Sequence, residues 1–437
     1  MNYQEAIHFI HGRPRLHRSR ELTEIKEFLA AIGHPEQQGH FIHVTGTNGK
    51  GSVAEMVTEI LLASGLRVGR FVSPFITRFN ERIQVDGHNI SDTDLADTTT
   101  YLANVLRHIQ AERPDFALTE FEFVTALGFY YFAQRRVAVA VIEVGIGGAH
   151  DKTNVITPDV SAITTIGADH LELIGPTLDD VAAEKAGVIK KGVPVVVGEI
   201  AAPQLAIIKA YALREHAPLF HFGEAFQLLH PRLQPAQHRW LFDFANEAAG
   251  MHYKNIALPS ISAYEVHNAA TAIQVAVLYF AQNHGQLSEG AIREGMANFH
   301  WPARMELLHE KPFVLLDGAH NVPAVRALID SVQQAFPGVT VHLIASFLQG
   351  KDAKKMLQYY IRAGFDIVGT DFKDPRLLPL AQWPEMPQPI RHIHDWRAAL
   401  AVVLQETDED DLIIIAGSLH FVSTVRESLL GGDDDDV

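Results

Sequence analysis

The chain has 437 residues, 47% hydrophobic and 20% charged, which is ordinary globular usage and excludes disorder as an overall description. One core seldom serves so long a chain, so two domains are expected. With no cysteine, disulfides and thiolate metal sites are excluded, and the formal charge of −16 argues against a nucleic-acid partner and requires any anionic substrate to meet locally gathered cations or backbone N–H groups.

The N-terminus, MNYQEAIHFIHGRPRLHRSR, lacks the apolar core and cleavage site of a secretory signal. No stretch approaches the ~20 apolar residues of a membrane helix, so a cytoplasmic protein with no membrane partner is expected. From there short β-branched runs alternate with amphipathic segments, the pattern of a parallel sheet covered by helices. FIHVT (Phe41–Thr45) reads as a buried strand, followed by a Gly-rich turn and a helix with apolar Val53, Met56, Val57, Ile60 and Leu61. Strands are expected at Leu66–Val72, Val137–Val144, Val160–Ile166 and Val193–Gly198, with helices at Glu120–Gln134 and Asp179–Ile189. Residues 219–262 read as an antiparallel excursion, and Tyr264–Ala281 as a helix. After a Trp-Pro break a second α/β series begins, with strands at Pro312–Asp317, Val339–Ser346, Phe365–Thr370 and Asp411–Gly417. The expected organisation is a domain over 1–299, a second over 300–430, and a flexible acidic tail over 431–437.

TGTNGKGS (Thr45–Ser52) sits between a strand and a helix N-terminus. Three glycines there let backbone N–H groups surround one anion, Lys50 adds a point charge and Ser52 a hydroxyl. The spacing differs from the general G-x-x-x-x-G-K-[ST] pattern, because two residues separate Gly46 from Gly49 and Gly51 intervenes before Ser52. A phosphate loop says nucleotide and no more.

Ligands of an open parallel sheet lie outside the carboxyl ends of its strands. Ser73, Glu143 and His170 each follow a strand, so they are expected to converge with Lys50 on one crevice. A hydroxyl, a carboxylate and an imidazole suit Mg²⁺ held partly by water and phosphate oxygens. Each has a structural alternative: Ser73 can shape the turn before Pro74, and His170 can be a structural hydrogen-bonder. Glu143 is harder to dismiss, since a buried carboxylate without a cation is costly. Lys185 beside Glu184 reads, on the residues alone, as a solvated surface pair.

Taken together, HVTGTNGKGS, SPFITRFNERI, TEFEFVTALGF, VIEVGIGG…DKTNVI, IGADHLELIG, EKAGVIKKG, HNAATA, HWPARME, LLDGAHN and AGSLHF resemble the Mur ligase superfamily, and within it the folylpolyglutamate synthase and dihydrofolate synthase family. The resemblance runs from Tyr3 to about Leu430. It implies an α/β fold with an N-terminal P-loop mononucleotide-binding parallel-sheet domain and a smaller C-terminal Rossmann-like domain, the active site lying between them. It implies ATP as co-substrate, held by Thr47, Asn48, Gly49, Lys50, Gly51 and Ser52, with Asn268, Arg304 and Asp317 meeting base, phosphates and ribose. It implies two Mg²⁺ sites from Ser73, Glu143 and His170, and a carbamylated Lys185, which replaces the surface-pair reading of that lysine. His320 and Ser418 are candidates for the incoming glutamate, His320 also for the catalytic base, and Phe75 and Arg82 for the folate. The implied activity joins L-glutamate to the γ-carboxylate of a folate. Polyglutamation alone, or polyglutamation with dihydropteroate as a second acceptor, are the two alternatives within the family, and a monomer is the default expectation. The segment RPRLHRSRELTEIKEFL is expected to line the pterin side.

Three departures from the family pattern stand out. ASFLQGKDAKK puts Ser346 and Gly350 where Gly and Asp are frequent, Val322 follows DGAHN, and the loop after IEVGIGG reads AHDKTN. The rival readings are a ligase of UDP-linked cell-wall precursors, a kinase and a non-catalytic nucleotide-binding module. The last needs the phosphate loop but not Glu143, His170, Lys185 and Arg304 together.

Overall fold

Strands buried on both faces read as unbroken apolar runs, and the run at Val139–Glu143 is buried throughout. The computed structural model describes residues 1–14 and 21–430, so the acidic tail and part of the segment assigned to the pterin lie outside the described residues. Eight strands build the first sheet: β1 (His40–Thr45), β2 (Val68–Phe71), β3 (Ile83–Val85), β4 (His88–Asn89), β5 (Val139–Glu143), β6 (Val160–Ile163), β7 (Val195–Val197) and β8 (Leu219–His221). Their order is β4-β3-β2-β5-β1-β6-β7-β8. β2, β5, β1, β6, β7 and β8 run parallel, while β3 and β4 turn back antiparallel at one edge.

β1 therefore lies between β5 and β6, and the register sets Val44 beside Glu143 and Thr45 beside Ile163. The phosphate loop, Glu143 and the loop after β6 are side by side for that reason. On one face Phe28, Leu102, Phe123 and Leu127 join a core with Phe71 and Ile142, and on the other Val188 and Ile208 pack with Ile163 and Val197. The helix Lys50–Ala63 after β1 is crossed by the helix Glu289–Ala297. The crossing is close: a Cβ at Gly295 would lie 2.5 Å from the Ile60 backbone N and Cα.

β8 pairs parallel with β7, so the antiparallel excursion expected from residue 219 begins later, at Gln227. It comprises β9 (Gln227–Gln234), β10 (Arg239–Asn246) and β11 (Met251–Leu258), joined by connections too short for a parallel crossover. The second α/β series forms its own sheet from β12 (Glu306–Glu310), β13 (Phe313–Leu316), β14 (Val341–Ala345), β15 (Asp366–Asp371), β16 (Arg391–Asp395) and β17 (Leu412–Ala416). The order is β12-β13-β17-β14-β15-β16, parallel except for β12. The expected α/β class is what the chain adopts.

Among the described residues two compact units result, one within residues 1–230, 242–257 and 267–299, the other within 231–241, 258–266 and 300–430. The second unit thus takes in two stretches that precede residue 300, a difference from a single cut there. The reason is apolar burial: Ile261 belongs to the core of Leu315, Leu343 and Ile414, and Leu233 and Tyr264 pack against it. Among the described residues no helix is long and apolar enough to cross a membrane.

Substituting Gly295 by Ala forces two helix backbones apart. Overpacking of this kind costs about 1–3 kcal/mol. Urea titration is expected to give a lower midpoint with an unchanged slope.

Candidate functional site

The loop between β1 and the following helix is held by backbone geometry that glycine supplies. Gly46 and Gly49 take φ of 154° and 84°, and a Cβ at Gly49 would meet the Asn268 Oδ1 at 2.5 Å. The loop is tied to the segment after β6: Thr47 N donates to Thr165 O (2.9 Å), Asn48 N to the Thr165 Oγ1 (3.0 Å), and Thr164 Oγ1 to Asn48 O (2.6 Å). Gly167 N donates to the Thr47 Oγ1 at 2.9 Å, and that hydroxyl donates to Gly167 O at 3.1 Å. The N–H groups of Thr47 and Asn48 are thus engaged in shaping the loop. Gly49 caps the helix, and the amides of Lys50, Gly51 and Ser52 head it, where N–H groups lack intrahelical acceptors.

Two lysines meet at this loop. Lys50 Nζ donates to Gly46 O at 3.0 Å and Thr47 O at 3.3 Å, and Lys185 Nζ donates to the same Gly46 O at 2.8 Å. Lys185 is only 3% exposed, which corrects the solvated-pair reading of Lys185 and Glu184. Burial first, and then the Lys50 charge, push its ammonium down to about 7, against the pull of Asp169, Asp151 and Glu184. Glu184 turns to the glycine loop after β5, where its carboxylate accepts from the His150 N (3.0 Å) and Nδ1 (2.8 Å).

Glu143, 6% exposed, accepts from the Ser73 N at 3.1 Å through its Oε2. Arg82 NH1 donates to the Ser73 Oγ at 3.2 Å, and its guanidinium lies over the rings of Phe75 (5.3 Å) and Phe79 (5.5 Å). Burial lowers the Arg82 pKa, while Glu120 and Glu143 oppose that shift. Behind this group, buried Arg70 pairs with Glu55 of the phosphate-loop helix and donates to the Gln84 Oε1 at 2.5 Å. His170, on the loop after β6, takes a left-handed φ of 52°, with its ring 3.9 Å from Asp169 and 3.8 Å from Glu172. Among the described residues no three His, Asp or Glu side chains converge as a metal-binding group.

In the second unit Asp317 follows β13, Ser418 follows β17 and Ser346 follows β14, at adjacent carboxyl ends. Arg304 is flanked by Ala303 and Met305 at φ of 56° and 48°, a conformation costly for non-glycine residues. Asp317 holds this segment: its Oδ2 accepts from Met305 N (2.9 Å), its Oδ1 from Ala319 N (2.8 Å), while Gly318 N donates to Ala303 O (2.8 Å). Burial raises the Asp317 pKa, and Arg304 leads the opposing influences. His320 Nδ1 lies 2.9 Å from Gly318 O, and the Ser418 Oγ accepts from Phe421 N at 3.0 Å. The fold therefore gathers Lys50, Lys185 and Asn268 about the loop, joins Ser73 to Glu143 and Arg82, and groups Arg304, Asp317 and His320. Sequence reading missed the Thr164–Thr165 clamp and the His150–Glu184 pair. Two adjacent hydroxyl residues at a strand end were the available signal for the clamp.

The chain is similar to known proteins over nearly its whole length. The Mur ligase middle domain model matches residues 44–276, and the Mur ligase, glutamate ligase domain model matches residues 303–419. A folylpolyglutamate synthase of Lacticaseibacillus casei is 41% identical, covering 99% of this chain and 100% of its own. This chain belongs to the folylpolyglutamate synthase family of Mur ligases. A Bacillus subtilis dihydrofolate synthase/folylpolyglutamate synthase is 33% identical over 98% of this chain and 99% of its own. The solved complex of a folylpolyglutamate synthase with AMPPCP and folate superposes with a TM-score of 0.88 at 38% identity, covering 99% of this chain and 100% of that one. As a family member, this chain is an ATP-dependent ligase.

Thr165→Val removes both the acceptor for Asn48 N and a donor to Asn48 O. An unsatisfied amide costs about 1–3 kcal/mol. Calorimetric titration with AMPPCP is expected to give a Kd about tenfold or more weaker.

Proposed function

We propose that this chain joins the amine of L-glutamate to the γ-carboxylate of a folate, using ATP, through an acyl phosphate. The observation that carries this reading is the pair of lysines sharing the Gly46 carbonyl, one strand away from buried Glu143. Polyglutamation is preferred over dihydropteroate as acceptor because the relative at 41% identity carries the polyglutamate name alone. A UDP-muramoyl ligase and a non-catalytic module are not favoured, since the folate-bound neighbour covers 99% of this chain.

A carboxylate repels an attacking amine and has no good leaving group. In the first step a folate carboxylate oxygen attacks the γ-phosphorus and ADP departs. Lys50, the helix-head amides of Gly51 and Ser52, and Arg304 neutralise charge on the transferred oxygens. The glutamate amine then attacks the acyl carbon, and phosphate leaves the tetrahedral intermediate. The Nδ1–H of His320 donates to Gly318 O, so its Nε2 is the acceptor nitrogen, placing His320 first among candidate bases. Asn268 and Asp317 meet base and ribose, Phe75 and Arg82 the folate, and Ser418 the glutamate. The working state is a cytoplasmic monomer.

The donor set fits Mg²⁺. Glu143 is a carboxylate at a strand end and Ser73 a hydroxyl, and oxygen donors of this kind suit an ion that keeps waters and phosphate oxygens among its ligands. Ser73 and Glu143 would hold one ion, and Glu143, His170 and the Lys185 carbamate a second. Bound there, Mg²⁺ would neutralise phosphate charge. The lowered Lys185 pKa supports the carbamate, because the neutral amine adds to CO₂ and releases its proton.

Assay with tetrahydrofolate, glutamate and ATP, with product identified by mass, tests the reading; absence of the amide product overturns it. Arg304→Ala is expected to fold normally and turn over roughly 10²-fold more slowly, as with other lost charge-stabilising groups. With ¹³C-bicarbonate, a carbamate resonance is expected that strengthens as pH rises through about 7, where Lys185 gives up its proton. Lys185→Met should lack that resonance.

A further inference from the structure

His43 is fully buried on β1, two residues before Thr45 on the same face of the strand. Burial pushes its imidazole down to about 3, so the ring is neutral in ordinary buffers. Its Nε2 lies 2.8 Å from the Thr153 Oγ1, and that hydroxyl lies 2.5 Å from the Asp151 Oδ1. A hydroxyl has one proton, and the carboxylate oxygen takes it. The Thr153 Oγ1 therefore accepts from His43, which fixes the Nε2–H tautomer. Asp151 also accepts from Thr153 N at 3.0 Å and from Ile146 N at 2.9 Å. His43, Thr153 and Asp151 thus form a buried chain from β1 into the loop over residues 145–154.

That loop bears on the reacting groups at both ends. It continues directly from Glu143. Its Gly147 O accepts from the Thr45 Oγ1 at 2.6 Å, and Ala149 N donates to Glu184 O at 2.8 Å. Gly148 sits so close that a Cβ there would be 2.6 Å from Glu184 O and 2.9 Å from the Lys185 Cα. β1 delivers the phosphate loop, and this loop braces Lys185, so the link between them sets one against the other.

We propose that His43 is a positioning residue: as a neutral Nε2–H donor to Thr153, it fixes the loop at 145–154, and through it Glu143 and Lys185, relative to the phosphate loop. The proposal rests on the ligase reading above. Neither His43 nor Thr153 is assigned a contact with substrate.

The test uses His43→Leu and Thr153→Val, which remove the donor and the hydroxyl, with His43→Gln and Thr153→Ser, which restore them. A displacement of about 1 Å at reacting groups costs on the order of 10²-fold, so turnover in His43→Leu is expected to fall roughly tenfold or more. The AMPPCP Kd should change by less than about threefold, because the Thr165 clamp on the phosphate loop is untouched. His43→Gln and Thr153→Ser should recover most of the turnover, and the double variant should be no worse than the worse single one. Deuterium exchange of the peptide over 145–154 should quicken in both disruptive variants. Wild-type turnover in folded His43→Leu, His43→Gln as slow as His43→Leu, or unchanged exchange would each overturn the proposal. The exchange arm uses neither folate nor glutamate, so a wild-type protein that forms no amide would refute the ligase reading while exchange still decides the bracing role.

Discussion

The clasp between the phosphate loop and the segment after β6 is the constraint on which the rest of the first unit depends. Thr164 and Thr165 bind the amide and carbonyl of Asn48. Gly46 permits it, since any Cβ there would run into the Thr164 Oγ1. Once the loop is fixed, the Gly46 carbonyl points where two ammonium groups can share it. That sharing is unfavourable for cations in a buried place, and Lys185 releases part of the cost through a lowered pKa. The same arrangement suits an anion, which would draw the lysines toward itself.

This resolves the conflict between a formal charge of −16 and an anionic substrate. Field at long range is screened within about 8–10 Å at physiological salt. Local groups decide the outcome, and here they are two lysines and helix-head amides. Arg70 and Arg82 lie behind and beside Glu143, so the carboxylate is not an isolated buried charge. Its cost of burial is offset within the protein.

In the second unit the corresponding constraint is Asp317. It holds the backbone on one side of Arg304 and its own turn on the other. The positive φ values of Ala303 and Met305 persist because these hydrogen bonds over-determine the segment. The backbone that carries Arg304 is thereby held on both sides of the residue.

The sequence by itself determined the α/β class and most strand positions to within one to three residues, and it set Lys50, Ser73 and Glu143 at strand ends; Lys185, Asn268, Arg304 and Asp317 were singled out only through the family resemblance. Strand periodicity and strand-end placement are local properties, so they are legible along the chain. Only the tertiary structure decided that Lys185 is buried and shares an acceptor with Lys50, because a helical lysine beside a glutamate looks the same whether solvated or enclosed. It alone showed that the excursion starts at Gln227, and that stretches near Leu233 and Ile261 join the second core. His43 and Thr153 are 110 residues apart, and only the packing of one loop onto one strand makes them partners. Pairings of that kind depend on which apolar faces meet, and no window along the chain contains that information.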